Sequence, residues 1–189
     1  MGDALRRRIQ QDRFESPLQE AILNLMVAAD SIRDLFDRAC SELGITASQY
    51  NVLRILRGSH PEGHPRCEIA RRMIERAPDV TRLIDRLEKQ GFVERDRTER
   101  DRRLSISRIT PAGLELLNRL EPRVREVHER IAERLSPADQ RELSRICEGV
   151  YEESPSTPNR DGLWKSAGST SVGDQAVNSG APPSGRSIR

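Results

Sequence analysis

Nowhere is the 189-residue chain apolar for more than a few residues in succession. A bilayer span takes roughly 20, so no membrane segment is expected. Cysteine is scarce too: Cys40, Cys67 and Cys147 are far apart and odd in number, which fits reduced thiols better than a disulfide framework. No glycine-rich phosphate loop, nucleophile elbow or zinc-hydrolase helix occurs, so no enzyme is expected. The opening residues, MGDALRRRIQQDRF, lack the apolar centre of a secretory signal, and a cytoplasmic location is the expectation. An excess of one charge is also missing. The net charge is +2, and residues 154–189 hold four basic against two acidic groups, leaving 28 of each in the rest. Bulk electrostatics therefore do not mark a nucleic-acid binder; local clustering has to do so.

One domain of ordinary size fits this length, with a core that folds without staples. Residues 1–13 are expected to be an N-terminal arm and 14–152 the folded domain. The last 36 residues contain 8 Ser, 5 Gly and 4 Pro with almost no apolar periodicity, so they bury too little surface to offset the entropy of ordering. Residues 153–189, with the sole tryptophan Trp164, are expected to be a disordered tail.

Within the domain, Leu18, Ile22, Leu25, Ala29, Ile32, Phe36, Ala39 and Leu43 recur by fours and threes, the seam of one long helix over about 15–43 that wants a partner helix. Gly44 ends it. Thr46 and Gln49 form a capping box, with Ile45 and Tyr50 as a staple, for a second helix carrying Leu53 and Leu56 inward. A short helix over Cys67 to Met73 follows. Pro78 then suits the first position of a fourth helix, with Val80, Leu83 and Leu87 on one face and Gly91 as its stop. Two short helices across a tight turn make a helix-turn-helix.

After Gly91 the period changes to that of strands: Phe92 to Arg95, a charged turn at 98–101, then Leu104 to Ser107. This hairpin stands where a wing would. Thr110 and Pro111 open a long helix bearing Leu114, Leu117, Leu120, Val124, Val127, Ile131 and Leu135, with a kink expected at Pro122. Ser136 and Asp139 cap a last helix bearing Leu143, Ile146 and Val150. The expected fold is mainly α with a small β-hairpin wing: a winged helix-turn-helix whose DNA-binding lobe spans about 46–110, flanked by dimerisation helices at 15–43 and 111–152. One domain cannot easily bury all these stripes by itself, so terminal helices of two chains are expected to pack together.

On the polar side of the fourth helix, Thr81, Arg82 and Arg86 lie within about one turn of each other. An arginine fork matches guanine or phosphate, and the N-terminal part of a recognition helix enters the major groove. Pairing of both arginines with Asp79 or Asp85 on a solvated face is the alternative, and the helix alone leaves both open. The hairpin favours DNA. Residues 93–108 hold six arginines (95, 97, 100, 102, 103 and 108) and no lysine, against four acids (94, 96, 99 and 101), and arginine is favoured in a narrow minor groove. Asp101 can brace a neighbouring arginine in its turn.

His60, His64 and Cys67 cluster in a loop, but a structural zinc site needs a fourth ligand that is not evident nearby, so no metal is expected. Cys67, beside Arg66 at a helix start, is the thiol best placed to react; a small buried hydrophobe is the commoner role of such a residue.

The stretch from the second helix through VTRLIDRLEKQGFVERDRTERDRRLSISRITPAG resembles the multiple-antibiotic-resistance regulator (MarR) family. The Asp-x-Arg step at Asp101 and Arg103, the Leu-Glu-Lys-x-Gly helix end and the Ile-Thr-Pro-x-Gly exit carry the resemblance, and the order of elements extends it over roughly 14–152. The resemblance implies a homodimer bound to double-stranded DNA at a pseudo-palindromic operator, most often as a repressor. It implies that Arg82 and Arg86 meet the major groove, that Thr81 meets a base or phosphate, and that Arg103, beside Arg102 and oriented by Asp101, enters the minor groove. It also implies a small-molecule effector, often aromatic or anionic, bound between the dimer helices and the winged-helix lobe. A dimeric scaffold acting through protein contacts is the alternative function.

Overall fold

The computed structural model describes residues 3–75, 79–96 and 105–152. Seven helices and a three-stranded antiparallel sheet are found among them. The tail at 153–189, Pro78, the charged turn at 98–101 and Leu104 lie outside the described residues.

Part of the segment expected to be an arm is helical: α1 (Asp3–Ile9) buries Leu5. Seven residues are too few to show a period, so the sequence carried no helical signal there. The long helix α2 (Pro17–Ser41) starts at Ser16, whose Oγ accepts from the Gln19 amide while the Gln19 side chain accepts from the Glu15 amide. Its seam divides in two. Ala39 is buried and Phe36 half-buried, whereas Leu18 and Ile22 are 69% and 49% exposed.

Helix α3 (Ala47–Arg57) forms with the expected capping box: Thr46 Oγ1 accepts from the Gln49 amide, and Gln49 Oε1 from the Thr46 amide. Its Val52, Leu53 and Leu56 are fully buried at the centre of the core, with Ile69 of α4 (Arg66–Arg72) and Ile84 and Leu87 of α5 (Val80–Lys89) around them. Helix α5 begins after Asp79, whose carboxylate caps the Arg82 amide at 3.3 Å, so the start sits just beyond the expected Pro78. Leu83, expected on the buried face, is only partly buried, and Ile84 takes its place.

Strands β2 (Val93–Asp96) and β3 (Ile106–Ile109) pair antiparallel with Val93 opposite Ile109 and Asp96 opposite Ile106. Ser105, expected within the second strand, stands outside it, the described strand beginning at Ile106. A further strand, β1 (His64–Pro65), pairs with β3 through His64 opposite Ser107, giving the order β1-β3-β2. Two residues, one of them proline, show no alternation, which is why the loop between the second and third helices gave no strand signal. Proline is tolerated because β1 is an edge strand.

The wing's exit explains its own sequence. Thr110 donates its hydroxyl to the Gly91 carbonyl at 2.7 Å and its amide to the Phe92 carbonyl at 3.1 Å. The same hydroxyl oxygen accepts from the Gly113 amide at 3.1 Å, capping α6 (Pro111–Ala132). Gly91, at φ +77°, occupies the left-handed region that closes a helix end. Helix α6 runs through Pro122 and buries Leu116, Leu117, Leu120, Val124 and Val127. Leu135 lies past its end. Beyond it, α7 (Pro137–Tyr151) opens on the expected box, with the Asp139 amide donating to Ser136 Oγ and the Ser136 amide to Asp139 Oδ2. Hydrogen bonds from the Ser136 hydroxyl and amide hold the Asp139 carboxyl below its usual range.

No helix of the described residues is long and apolar enough to cross a membrane. Cys40, at the end of α2, is fully buried, and burial pushes its thiol up to about 11 with Asp37 adding to the rise. Cys67 is exposed. A thiol-specific reagent at neutral pH should therefore label Cys67 in the native protein and reach Cys40 only on unfolding. Rapid native labelling of Cys40, mapped by mass spectrometry, would contradict this packing.

Candidate nucleic-acid interface

The described part of the candidate interface is α5, whose buried side (Val80, Ile84, Leu87) fixes its rotation on the core and turns Arg82 and Arg86 to solvent. The acid pairing weighed for these arginines is found at Arg82. Arg82 Nε lies 2.8 Å from Asp79 Oδ2, an ion pair within the first turn, with the arginine side chain 79% exposed. Such an exposed pair contributes little to stability; it limits where the guanidinium points. Asp85 is engaged elsewhere, and among the described residues Arg86 meets no carboxylate.

The partner of Asp85 is Arg95 of β2, which also lies 3.6 Å from Glu88. Its side chain is 18% exposed. Counted among the hairpin's arginines, Arg95 instead faces inward and fastens the strand to α5. Charge counting could not separate it from its neighbours, because a strand's inward and outward positions alternate within one charged run. Arg108 likewise pairs with Asp96 across the hairpin at 3.3 Å. The remaining hairpin arginines, Arg102 and Arg103 among them, and Asp101 lie outside the described residues.

Other basic groups sort by partner. Arg71 and Arg72 of α4 both bond Glu68, and these bonds hold its carboxyl down to about 2. Arg66, in contrast, gives Nη1 to Thr81 Oγ1 at 3.0 Å, and among the described residues no carboxylate pairs with it. This link across the helix-turn-helix was not legible in the sequence. Only the spacing of 15 residues separates the two, and no periodic pattern connects them.

A second tie joins the long helix to the same region. Arg33 of α2 donates to Glu75 at 2.6 Å, which raises the guanidinium's pKa, and Glu75 stands in the turn that leads to α5. The adjacent Ile74 amide is held by the Asn51 side chain of α3 at 3.1 Å. His60, His64 and Cys67 do not gather into a metal-binding group; none of three or more His, Cys, Asp or Glu is found among the described residues.

A recognition-type helix on a three-helix core, with an antiparallel sheet fastened to its flank, defines the winged helix-turn-helix class of DNA-binding proteins. The sequence profile of the MarR family matches residues 45–105. A crystal structure of a MarR transcription factor from Planctomyces limnophilus is 43% identical, with a TM-score of 0.57 over 72% of this chain and 98% of that one. The chain belongs to the MarR family and is a transcriptional regulator of that kind. Among curated relatives it is 25% identical to the HTH-type transcriptional repressor IacR of Pseudomonas putida, over 61% of this chain and 68% of that protein. The fold is also that of a mutant MarR from E. coli solved in complex with operator DNA, at 22% identity and a TM-score of 0.59 over 67% of this chain and 90% of that one.

Proposed function

We propose that the chain is a homodimeric repressor that binds a pseudo-palindromic operator with α5 in the major groove and the hairpin loop in the minor groove, and that releases it on binding a small molecule. The observation that carries this is the outward Arg82 and Arg86 side of α5, set beside a sheet that Arg95 fastens to the same helix. Helix and hairpin thus act as one rigid reader. Arg82, held toward the helix start by Asp79, and Arg86, free of acids among the described residues, serve as the base-reading pair. Thr81 stands beside them. Arg103 and Arg102, with Asp101 as the orienting acid, fall in sequence between β2 and β3, outside the described residues, and are assigned to the minor groove on the family resemblance.

The repressor role is supported by the relative from Pseudomonas putida that bears that name. Release by an effector is supported by the Arg33 to Glu75 tie, through which a shift of α2 would reach the segment entering α5.

The test is binding of the purified protein to duplex DNA from its own upstream region and from random-site selection, titrated across salt. Saturable binding to a short inverted repeat of about 16–20 base pairs is expected, weakening steeply with salt. Arg86→Ala should cost about 1–2 kcal/mol and relax preference at one position of each half-site. Selection that recovers no repeat, or an Arg86→Ala protein with unchanged affinity and preference, would overturn the assignment of this face.

A further inference from the structure

The geometry points to a phosphate clamp made by Arg66 and Thr81, in which one DNA phosphodiester is held across the helix-turn-helix by the Arg66 guanidinium and the Thr81 hydroxyl together. The inference rests on the DNA-binding reading above and adds to it a residue outside α5.

Its starting point is the 3.0 Å hydrogen bond from Arg66 Nη1 to Thr81 Oγ1. Guanidinium carries five N–H donors in one plane and a hydroxyl carries one donor and two acceptor lone pairs. Their mutual bond uses one donor of the arginine and one acceptor of the threonine. Left over among the described residues are four N–H groups and the Thr81 O–H, donors gathered at one place around a positive charge that no described carboxylate meets. Such a site is built for an oxyanion.

Charge sorting around it supports the same conclusion. The neighbouring basic groups of α4 are spent on Glu68, and Arg82 is paired with Asp79. Arg66 is oriented by a neutral group instead, so among the described residues its orientation is fixed without its charge being neutralised. Arg66 is exposed, and Thr81 is next to Arg82 on α5, which places the pair at the edge of the proposed groove-facing side. An α-helix fills the major groove, so a residue of the preceding helix meets the backbone that flanks it rather than base edges. The fork of arginine matches phosphate oxygens in two-point fashion.

The experiment uses the full chain, with a duplex recovered by random-site selection and a random-sequence duplex of equal length. Binding of wild type, Arg66→Ala, Arg66→Lys, Thr81→Val, the Arg66→Ala/Thr81→Val double variant and Arg86→Ala is titrated across roughly 50 to 200 mM salt, with circular dichroism confirming the fold of each. Arg66→Ala is expected to weaken both duplexes by the same factor, roughly tenfold. The slope of log affinity against log salt should become shallower by about 0.9 for each clamp lost, about 1.8 over two half-sites. Arg66→Lys should restore the slope, because the charge returns. Thr81→Val should weaken binding in the wild-type background and add little on top of Arg66→Ala, because the hydroxyl works through the pair. Unchanged affinity and slope in Arg66→Ala while Arg86→Ala still weakens the selected duplex would overturn the clamp and leave the interface standing. Loss confined to the selected duplex would overturn it in favour of base contact. If Arg66→Ala and Arg86→Ala both bind as wild type does, the DNA-binding face itself is misplaced and the clamp falls with it.

Discussion

Replacing Gly113 by valine should lower the thermal unfolding midpoint by roughly 6–12 °C. Gly113 lies in the first turn of α6, where the wing's second strand hands the chain to that helix. A Cβ there would come within 2.4 Å of the Phe92 carbonyl oxygen and 2.7 Å of Ile109 Cγ1. The first is backbone, held in turn by the Thr110 amide, and cannot step aside without opening the bond that closes the wing. Overpacking of a tight site costs about 1–3 kcal/mol and sometimes more. Valine adds two carbons beyond that Cβ, so the upper end, about 3 kcal/mol, is the expectation. The opposing term is small: valine is a better helix former than glycine by only about 0.4 kcal/mol. Circular dichroism melts at one protein concentration decide it, and a midpoint equal to wild type would show that the Phe92 carbonyl does not approach as described. Gly91 offers a contrast. Nothing lies within 4 Å of its added Cβ, and its φ of +77° is the whole constraint. Alanine there should cost only about 1–2 kcal/mol, the strain of the left-handed conformation for an ordinary residue.

Those two glycines show how much was legible in the sequence. The Leu-Glu-Lys-x-Gly and Ile-Thr-Pro-x-Gly strings could be matched to a family before their physical reason was known. In the structure they are the two halves of one joint, with Thr110 bonding the Gly91 carbonyl on one side and capping at Gly113 on the other. Helices α2, α3, α5 and α6 were legible because each repeats an apolar period and carries a local cap, both of which are short-range properties. What escaped is long-range. Strand β1 exists only because Ser107 and Ile106 offer it a ladder, and the Arg33 to Glu75 tie spans 42 residues. The inward turn of Arg95 depends on where Asp85 stands, and the partnership of Arg66 with Thr81 on how α4 meets α5. The charged helix and the charged hairpin after it were thus visible in the residue pattern, while the division of their arginines into inward ties and outward contacts required the fold.

Placing aspartate at both Ile22 and Met26 should convert the protein to a folded monomer and reduce its affinity for an inverted repeat by about 10²–10⁴-fold, the usual gain from joining two binding modules. Leu18, Ile22 and Met26 follow one another at helical spacing of four along α2 and are 69%, 49% and 63% exposed in the single chain. Full burial of side chains of this size contributes about 1.5–3 kcal/mol each relative to exposure, and a two-fold interface counts every one twice. The C-terminal part of the same helix behaves differently: it is covered within the chain, with Ala39 and Cys40 buried, Glu42 bonded to Arg123 at 2.8 Å and Phe36 edge-on to His128 at 5.7 Å. One helix thus has a half that its own chain covers and a half that it leaves exposed, which the proposed dimer would cover. Two aspartates on the open half would place four carboxylates in a dimer seam, each losing water without a cation to replace it, whereas in the single chain they would sit in solvent at little cost. The predicted outcome is selective: an unchanged dichroism spectrum, a halved mass by light scattering at micromolar concentration, and loss of tight binding to the repeat with weak binding to a half-site kept. A variant that stays dimeric would move the dimer contact away from this stretch of α2. A wild-type protein that is itself monomeric and still binds the repeat tightly would remove the dimer from the proposal altogether.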